Sequence, residues 1–224
     1  MNTKNTILLF FTMLSASLLA QPQTVEVFHY VFPEFKRGTV LMKDGTSHQA
    51  LLNYNAASEE MIFDQNGQKL AFAPATLNGL DTVFIEDTKF VLLEGQKFAE
   101  VIHQNGYKLF VQHKCRISPP GKPAAYGGTS QTSSVTSYSS WMGSGRVYEL
   151  KLPDDFKVNP YKQYWLEREE GKRENFLSLR QIRRSYGKQR ALFTKYTKEN
   201  EVDFEDSESV ATLIHYMEVN GASY

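Results

Sequence analysis

Residues 61–72 read Met61-Ile-Phe-Asp-Gln-Asn66-Gly67-Gln-Lys-Leu-Ala-Phe72, and this stretch decides the fold. Asn66-Gly67 is the dipeptide that a two-residue type I′ turn demands, because both central residues of that turn take positive φ. Pairing outward from it sets Asp64 against Lys69, Phe63 against Leu70 and Met61 against Phe72. The pleat then gathers Met61, Phe63, Leu70 and Phe72 on one face as an apolar quartet, and an opposite-charge pair closes the other. Turn chemistry and face pattern agree, which is what pins a hairpin register.

The same signal recurs at Asp44-Gly45 and Asn105-Gly106, so residues from about 37 to 117 read as an antiparallel meander. Around Asn105-Gly106, Ile102 is expected opposite Leu109 and Val101 opposite Phe110, on opposite faces. Apolar residues on both sides predict a strand pair covered twice, by a second sheet or by C-terminal helices. The segment TVFIEDTKFVLLEG, 82–95, adds a strand or hairpin to the same sheet.

Composition shifts sharply from Pro119 to Gly145, where Ser, Thr and Gly dominate and acids are absent. A loop this long inside a compact domain is either functional or mobile. Its aromatics Tyr126, Tyr138 and Trp141 are candidate contacts for a ligand or partner. RVYELKLP, 146–153, reads as one more strand. Beyond it LSLRQIRRSYG, KQRALFTKYTKEN and DSESVATLIHYMEVNG predict three short helices. In the last, Asp206 or Ser207 caps the start, Val210, Leu213, Ile214 and Met217 recur at helical spacing, and Asn220-Gly221 supplies the stop. Leu192, Phe193 and Tyr196 form a shorter stripe on the helix before it.

The expected fold class is α+β: an antiparallel β-meander, as a sandwich or partly closed barrel, followed by a small C-terminal helical subdomain. Its expected divisions are a signal peptide at 1–20, a β-domain at 21–118 and the polar loop at 119–145. A strand and connector at 146–174 rejoin the β-domain, and the helical subdomain occupies 175–224.

The leader MNTKNT followed by apolar Ile7 to Ala20 predicts export, with cleavage after Ala20. The run is too short for a membrane-spanning helix, and no later one is apolar enough, so a soluble envelope protein without a transmembrane anchor is expected. Lipid attachment would need a cysteine just after the cut, whereas the single cysteine is Cys115. Twenty-five basic residues balance twenty-five acidic ones, so no global field favours nucleic acid.

Three stretches carry a resemblance: FKRGTVLMKDGTSHQALLNYNAASEEMIFDQNG, YGGTSQTSS and SLRQIRRSYGKQRALFTKYTKENEVDFEDSESVATLIHYM. Each is similar to patterns in secreted proteins of unassigned function from Bacteroidetes-type Gram-negative bacteria. The resemblance implies an envelope location, in the periplasm or at the cell surface, and an α+β architecture. It implies no activity, cofactor or site residue.

Candidate chemistry is sparse. His113 and Cys115 alternate on one strand face as two metal ligands would, but the expected register puts His103 opposite Lys108, on the other face. Neither Gly128-Thr129-Ser130 nor Gly143-Ser144-Gly145 makes a nucleophile elbow, and phosphate-binding glycine loops are absent. No metal, cofactor or catalytic residue is therefore assigned. The pairs Glu59-Glu60, Asp154-Asp155 and Glu169-Glu170 read as solvated, and Cys115 as a half-buried strand residue. The basic run Arg180, Arg183, Arg184, Lys188, Arg190 is expected to pair with the acidic run from Glu199 to Glu208. Arg180, Arg183 and Arg184 also share a side where they would meet phosphate or carboxylate groups of a partner. Tyr161, Tyr164 and Trp165 could add a stacking surface for sugar or protein. The function expected is non-catalytic binding or scaffolding, with an envelope protein or glycan as partner. A carrier of a small apolar or glycan ligand inside the β-domain is the alternative, and a hydrolase the least favoured.

Overall fold

The computed structural model describes residues 29–118, 122–123, 129–130, 157–169 and 171–221. The leader, the RVYELKLP segment and the contact candidates Tyr126, Tyr138 and Trp141 lie outside the described residues. Eight strands come first: β1 Lys36–Met42, β2 Ser47–Asn55, β3 Glu60–Gln65, β4 Gln68–Ala71, β5 Leu80–Ile85, β6 Thr88–Leu92, β7 Phe98–His103 and β8 Lys108–Ser118. A short helix, α1 Pro74–Gly79, joins β4 to β5. Two-residue strands β9 Lys122–Pro123 and β10 Thr129–Ser130 pair with each other. The chain continues with β11 Lys157–Glu169 and β12 Lys172–Phe176, then helices α2 Leu179–Ser185, α3 Arg190–Glu199 and α4 Ser207–Gly221.

The central hairpin has the expected register, with Phe63 opposite Leu70 and Asp64 opposite Lys69. Asn66 and Gly67 both take positive φ, at 56° and 85°, as a type I′ turn requires. The Asn105-Gly106 connection differs. Only Gly106 of that dipeptide has positive φ, so no type I′ turn forms and the connection runs from Gln104 to Tyr107; at Asp44-Gly45 likewise only the glycine has positive φ, and Lys43 to Thr46 join β1 to β2. Val101 does face Phe110, but a bulge follows and His103, not Ile102, faces Leu109. Tyr107 accounts for the change: it is buried at 8% exposure, and its ring stacks on His103 at 4.1 Å.

Ten strands form one antiparallel sheet in the order β12-β11-β8-β7-β6-β5-β1-β2-β3-β4. The sheet is open, with β12 and β4 as its edges, yet strongly curled. Six strand steps separate Phe98 at the start of β7 from Phe72 just after β4, which in a flat sheet would be about 29 Å. Their ring centroids are 6.4 Å apart, and Tyr54 of β2 reaches Phe98 at the same distance. Inside the curl lies a core of Leu52, Tyr54, Met61, Ile85, Phe90 and Phe98.

A second core joins Leu109, Val111, Tyr164 and Leu166 of the long strands to Ile182, Phe193, Leu213 and Ile214 of the helices. On α4 the residues Val210, Leu213, Ile214 and Met217 are all fully buried, the stripe their spacing predicts. Asp206 caps the helix, its Oδ1 accepting the Glu208 N–H at 3.1 Å. A third cluster, Leu93, Ala99 and Phe110, occupies the other sheet face with Trp165 packed on it. Strand β8 is thus covered on both faces, one of them by helices. Among the described residues no helix is long and apolar enough to cross a membrane.

Candidate functional site

Strands β8 and β11 pair continuously from Ser118 with Lys157 to Lys108 with Glu167. Strand alternation divides this ladder. Leu109, Val111, Tyr164 and Leu166 turn to the helices, so Gln112, Lys114, Tyr161, Gln163 and Trp165 turn the other way. On that face they line a cleft of about 400 Å³. Ala57, Ser58 and Glu59 of the β2–β3 turn, Leu93, Glu94 and Lys97 of the β6–β7 turn, and Arg173 of β12 complete its walls.

The cleft side chains are held in place by one another. Lys114 Nζ lies 2.7 Å from Glu59 Oε2, with the two side chains only 18% and 21% exposed. The Trp165 indole N–H donates to Gln112 Oε1 at 2.9 Å, and Gln112 is buried. Arg173 Nε donates to Glu167 Oε2 at 2.6 Å while its guanidinium covers the Phe110 ring at 5.7 Å. Burial alone would raise the Glu167 pKa, but hydrogen bonds from Lys108 and Arg173 outweigh it and hold the carboxyl below its ordinary range. Arg116 lies over the Tyr161 ring at 5.0 Å.

The β2–β3 turn is the unusual wall. Glu59 is a non-glycine residue at φ 59°, a conformation that costs ~1–2 kcal/mol and persists where surrounding contacts impose it. Next to it Ser58 is 2% exposed, and its Oγ has no hydrogen-bond partner among the described residues. The Tyr54 hydroxyl and Asn55 Nδ2 are likewise buried without partners. Three such groups within five residues, two at the end of β2 and one in the turn, mark where the described residues leave polar capacity unused.

Several expectations are sorted by this arrangement. Tyr161 and Trp165 line the cleft, whereas Tyr164 faces the helical core, fully buried, with its hydroxyl donating to the Phe204 carbonyl at 2.9 Å. Burial raises the Tyr164 pKa. Glu59 is no solvated carboxylate, because the curl of the sheet delivers it to Lys114. Glu169 does sit at the exposed β11–β12 end, paired with Lys172.

Cys115 borders the cleft, but burial and then the Glu59 carboxylate push its thiol up to about 12, so it stays protonated at neutral pH. His113 Nε2 lies 2.7 Å from Glu100 Oε2, and His103 sits apart, stacked on Tyr107 and tilted against His215 at 5.7 Å. Among the described residues no three side chains gather as a metal site.

The basic and acidic runs do not pair with each other. Arg180, Arg183 and Arg184 are exposed on α2, and neither they nor Lys188 and Arg190 form an ion pair among the described residues. The acids of the run are engaged locally instead: Asp203 Oδ1 accepts the Glu205 N–H and Asp206 caps α4. Ion pairing in this region falls to Arg168, whose Nε donates to Glu218 Oε1 at 2.7 Å.

Gln112, Gln163, Ser58 and the Glu59–Lys114 pair carry no motif. Only the alternation of polar residues along β8 hints at them. Glu59 and Lys114 are 55 residues apart, a contact no local pattern encodes. No family model matches this chain, and no curated protein or solved structure matches it either.

Proposed function

We propose that this is an exported, non-catalytic binding or scaffolding protein of the bacterial cell envelope. It belongs, in this reading, to the secreted Bacteroidetes-type group that three of its stretches resemble, and its curled sheet serves as a partly closed barrel. The cleft carries the proposal: its polar groups are fixed by mutual bonds before any ligand arrives, as in Lys114–Glu59 and Trp165–Gln112. Preorganisation of this kind lowers the ordering cost of binding. A partner protein or glycan of the envelope occupies it. Arg180, Arg183 and Arg184, exposed along α2, supply a further contact for carboxylate or phosphate groups. Tyr126, Tyr138 and Trp141 remain candidate contacts from the polar loop.

The carrier alternative, a ligand held inside the β-domain, finds no room there. The inside of the curl is filled by Tyr54, Phe90 and Phe98, so a carried ligand would sit in the outer cleft. The test is capture of envelope components by tagged full-length chain and by its Gln163→Trp variant, which fills the cleft from a partly exposed strand position. The variant should keep the wild-type melting temperature and lose its captured components. Unchanged capture would remove the cleft from the proposal.

A further inference from the structure

The chemistry of the cleft wall limits what can fill it. Every strongly held cation there already has a carboxylate: Lys114 has Glu59 at 2.7 Å, and Arg173 has Glu167 at 2.6 Å. Lys97 and Glu94 remain, opposite in sign and on the same turn. An ionic ligand would either compete with these half-buried pairs or bring a charge that the cleft does not balance, and breaking such a pair strands its other member.

An apolar ligand fares no better. It would cover the partly exposed Gln163 amide and the partly exposed Lys114–Glu59 pair, at ~1–3 kcal/mol for each polar group left unpaired. That sum offsets the ~5 kcal/mol returned by roughly 200 Å² of apolar contact.

A polyhydroxylated, uncharged ligand meets neither objection. Hydroxyls both donate and accept, as do the serine and the two amides that face them. Lys114 offers donors and Glu59 acceptors a few ångströms apart. The indole of Trp165, locked by its bond to Gln112, presents an apolar surface for the C–H face of a sugar ring at little entropic cost. The Ser58 hydroxyl, buried and without a partner among the described residues, belongs to a residue of the cleft wall and is a group that such a ligand can satisfy. A volume of about 400 Å³ is near the lower end of ligand sites and suits roughly one or two rings.

We infer that the cleft binds an uncharged saccharide of roughly one or two rings, stacked on Trp165 and hydrogen-bonded through Ser58, Gln112 and Gln163. This rests on the binding reading above and names its ligand.

The test is calorimetric titration of the full chain with three probe sets: neutral mono- and disaccharides including N-acetylhexosamines, the corresponding uronic acids, and a medium-chain alcohol. A neutral saccharide should bind. Trp165→Ala and Gln163→Ala should each weaken it at least tenfold, and Ser58→Ala severalfold with the melting temperature kept or raised, since its buried hydroxyl has no partner among the described residues. Gln163→Ala guards against a folding defect in the tryptophan variant. Binding of only the uronic acids or only the alcohol would overturn the inference, as would saccharide affinity unmoved by these substitutions. If no neutral saccharide binds while Gln163→Trp still abolishes envelope capture, the ligand class is wrong and the binding reading stands. If capture is also unchanged, both fall.

Discussion

Removing one buried hydroxyl should stabilise this protein, and removing another should destabilise it. Tyr54 and Tyr164 are matched in burial, at 1% and 0% exposure. Tyr164 donates its proton to the Phe204 carbonyl at 2.9 Å, whereas the Tyr54 hydroxyl has no partner among the described residues. Phenylalanine preserves both rings and their packing, so each substitution reports on the oxygen alone. A buried hydroxyl without a bond costs ~1–3 kcal/mol, so Tyr54→Phe should gain about 1 kcal/mol even after some relaxation in the parent. Tyr164→Phe gives up a bond with a net worth of ~1 kcal/mol. With an m-value of ~2–3 kcal/mol/M, the urea midpoint should rise by about 0.3–0.5 M in the first variant and fall by a similar amount in the second. Urea unfolding at pH 7, followed by tryptophan fluorescence and checked by far-UV circular dichroism, measures both. A lower midpoint for Tyr54→Phe would refute the reasoning, because it would show that the hydroxyl is bonded.

Gly38→Ala should cost ~1–3 kcal/mol or block folding, since a Cβ there would lie 2.4 Å from the Phe84 carbonyl oxygen and 2.7 Å from Leu52; a thermal melt checks it, and an unchanged melt would mean that the tight curl at β1 yields easily. The Glu167 carboxyl is held below its ordinary value in the folded chain, so its contribution is present above the unfolded pKa near 4.5 and lost as pH falls through the folded one. Glu167→Gln should therefore be less stable than wild type at pH 7, with the gap narrowing as pH falls below the unfolded value near 4.5 in a series of urea midpoints; a constant gap would sink the assignment. Asp206→Ala should cost ~0.5–2 kcal/mol by removing the cap of α4, measured as a lower urea midpoint, while Asp206→Ser should recover most of it.

Local signals were legible wherever a residue's own conformational preference sets the structure. Asn66-Gly67 can take two positive φ values in succession, so the β3–β4 register follows from chemistry confined to a few residues. The α4 stripe is similar: four apolar side chains at helical spacing bury one face whatever they meet. The Asn105-Gly106 turn carried the same signal and did not obey it, because Tyr107 gains more by burying its ring against His103 and the α4 side of the core. Strand β11 was hidden for a different reason. Its sequence KVNPYKQYWLERE looks polar throughout, and its one buried charge, Glu167, is accommodated by Lys108 and Arg173 from neighbouring strands.

The sequence by itself therefore determined the β3–β4 hairpin with its register and the capped, striped helix α4. Only the tertiary structure decided which face meets the helices and which meets a cleft. It alone brought Ser58 and Glu59 to the wall formed by Gln112, Lys114 and Trp165. The physical reason is range: a turn or a helix stripe is settled by neighbours in the chain, whereas the cleft exists because a sheet that would hold its parts far apart when flat curls until they touch.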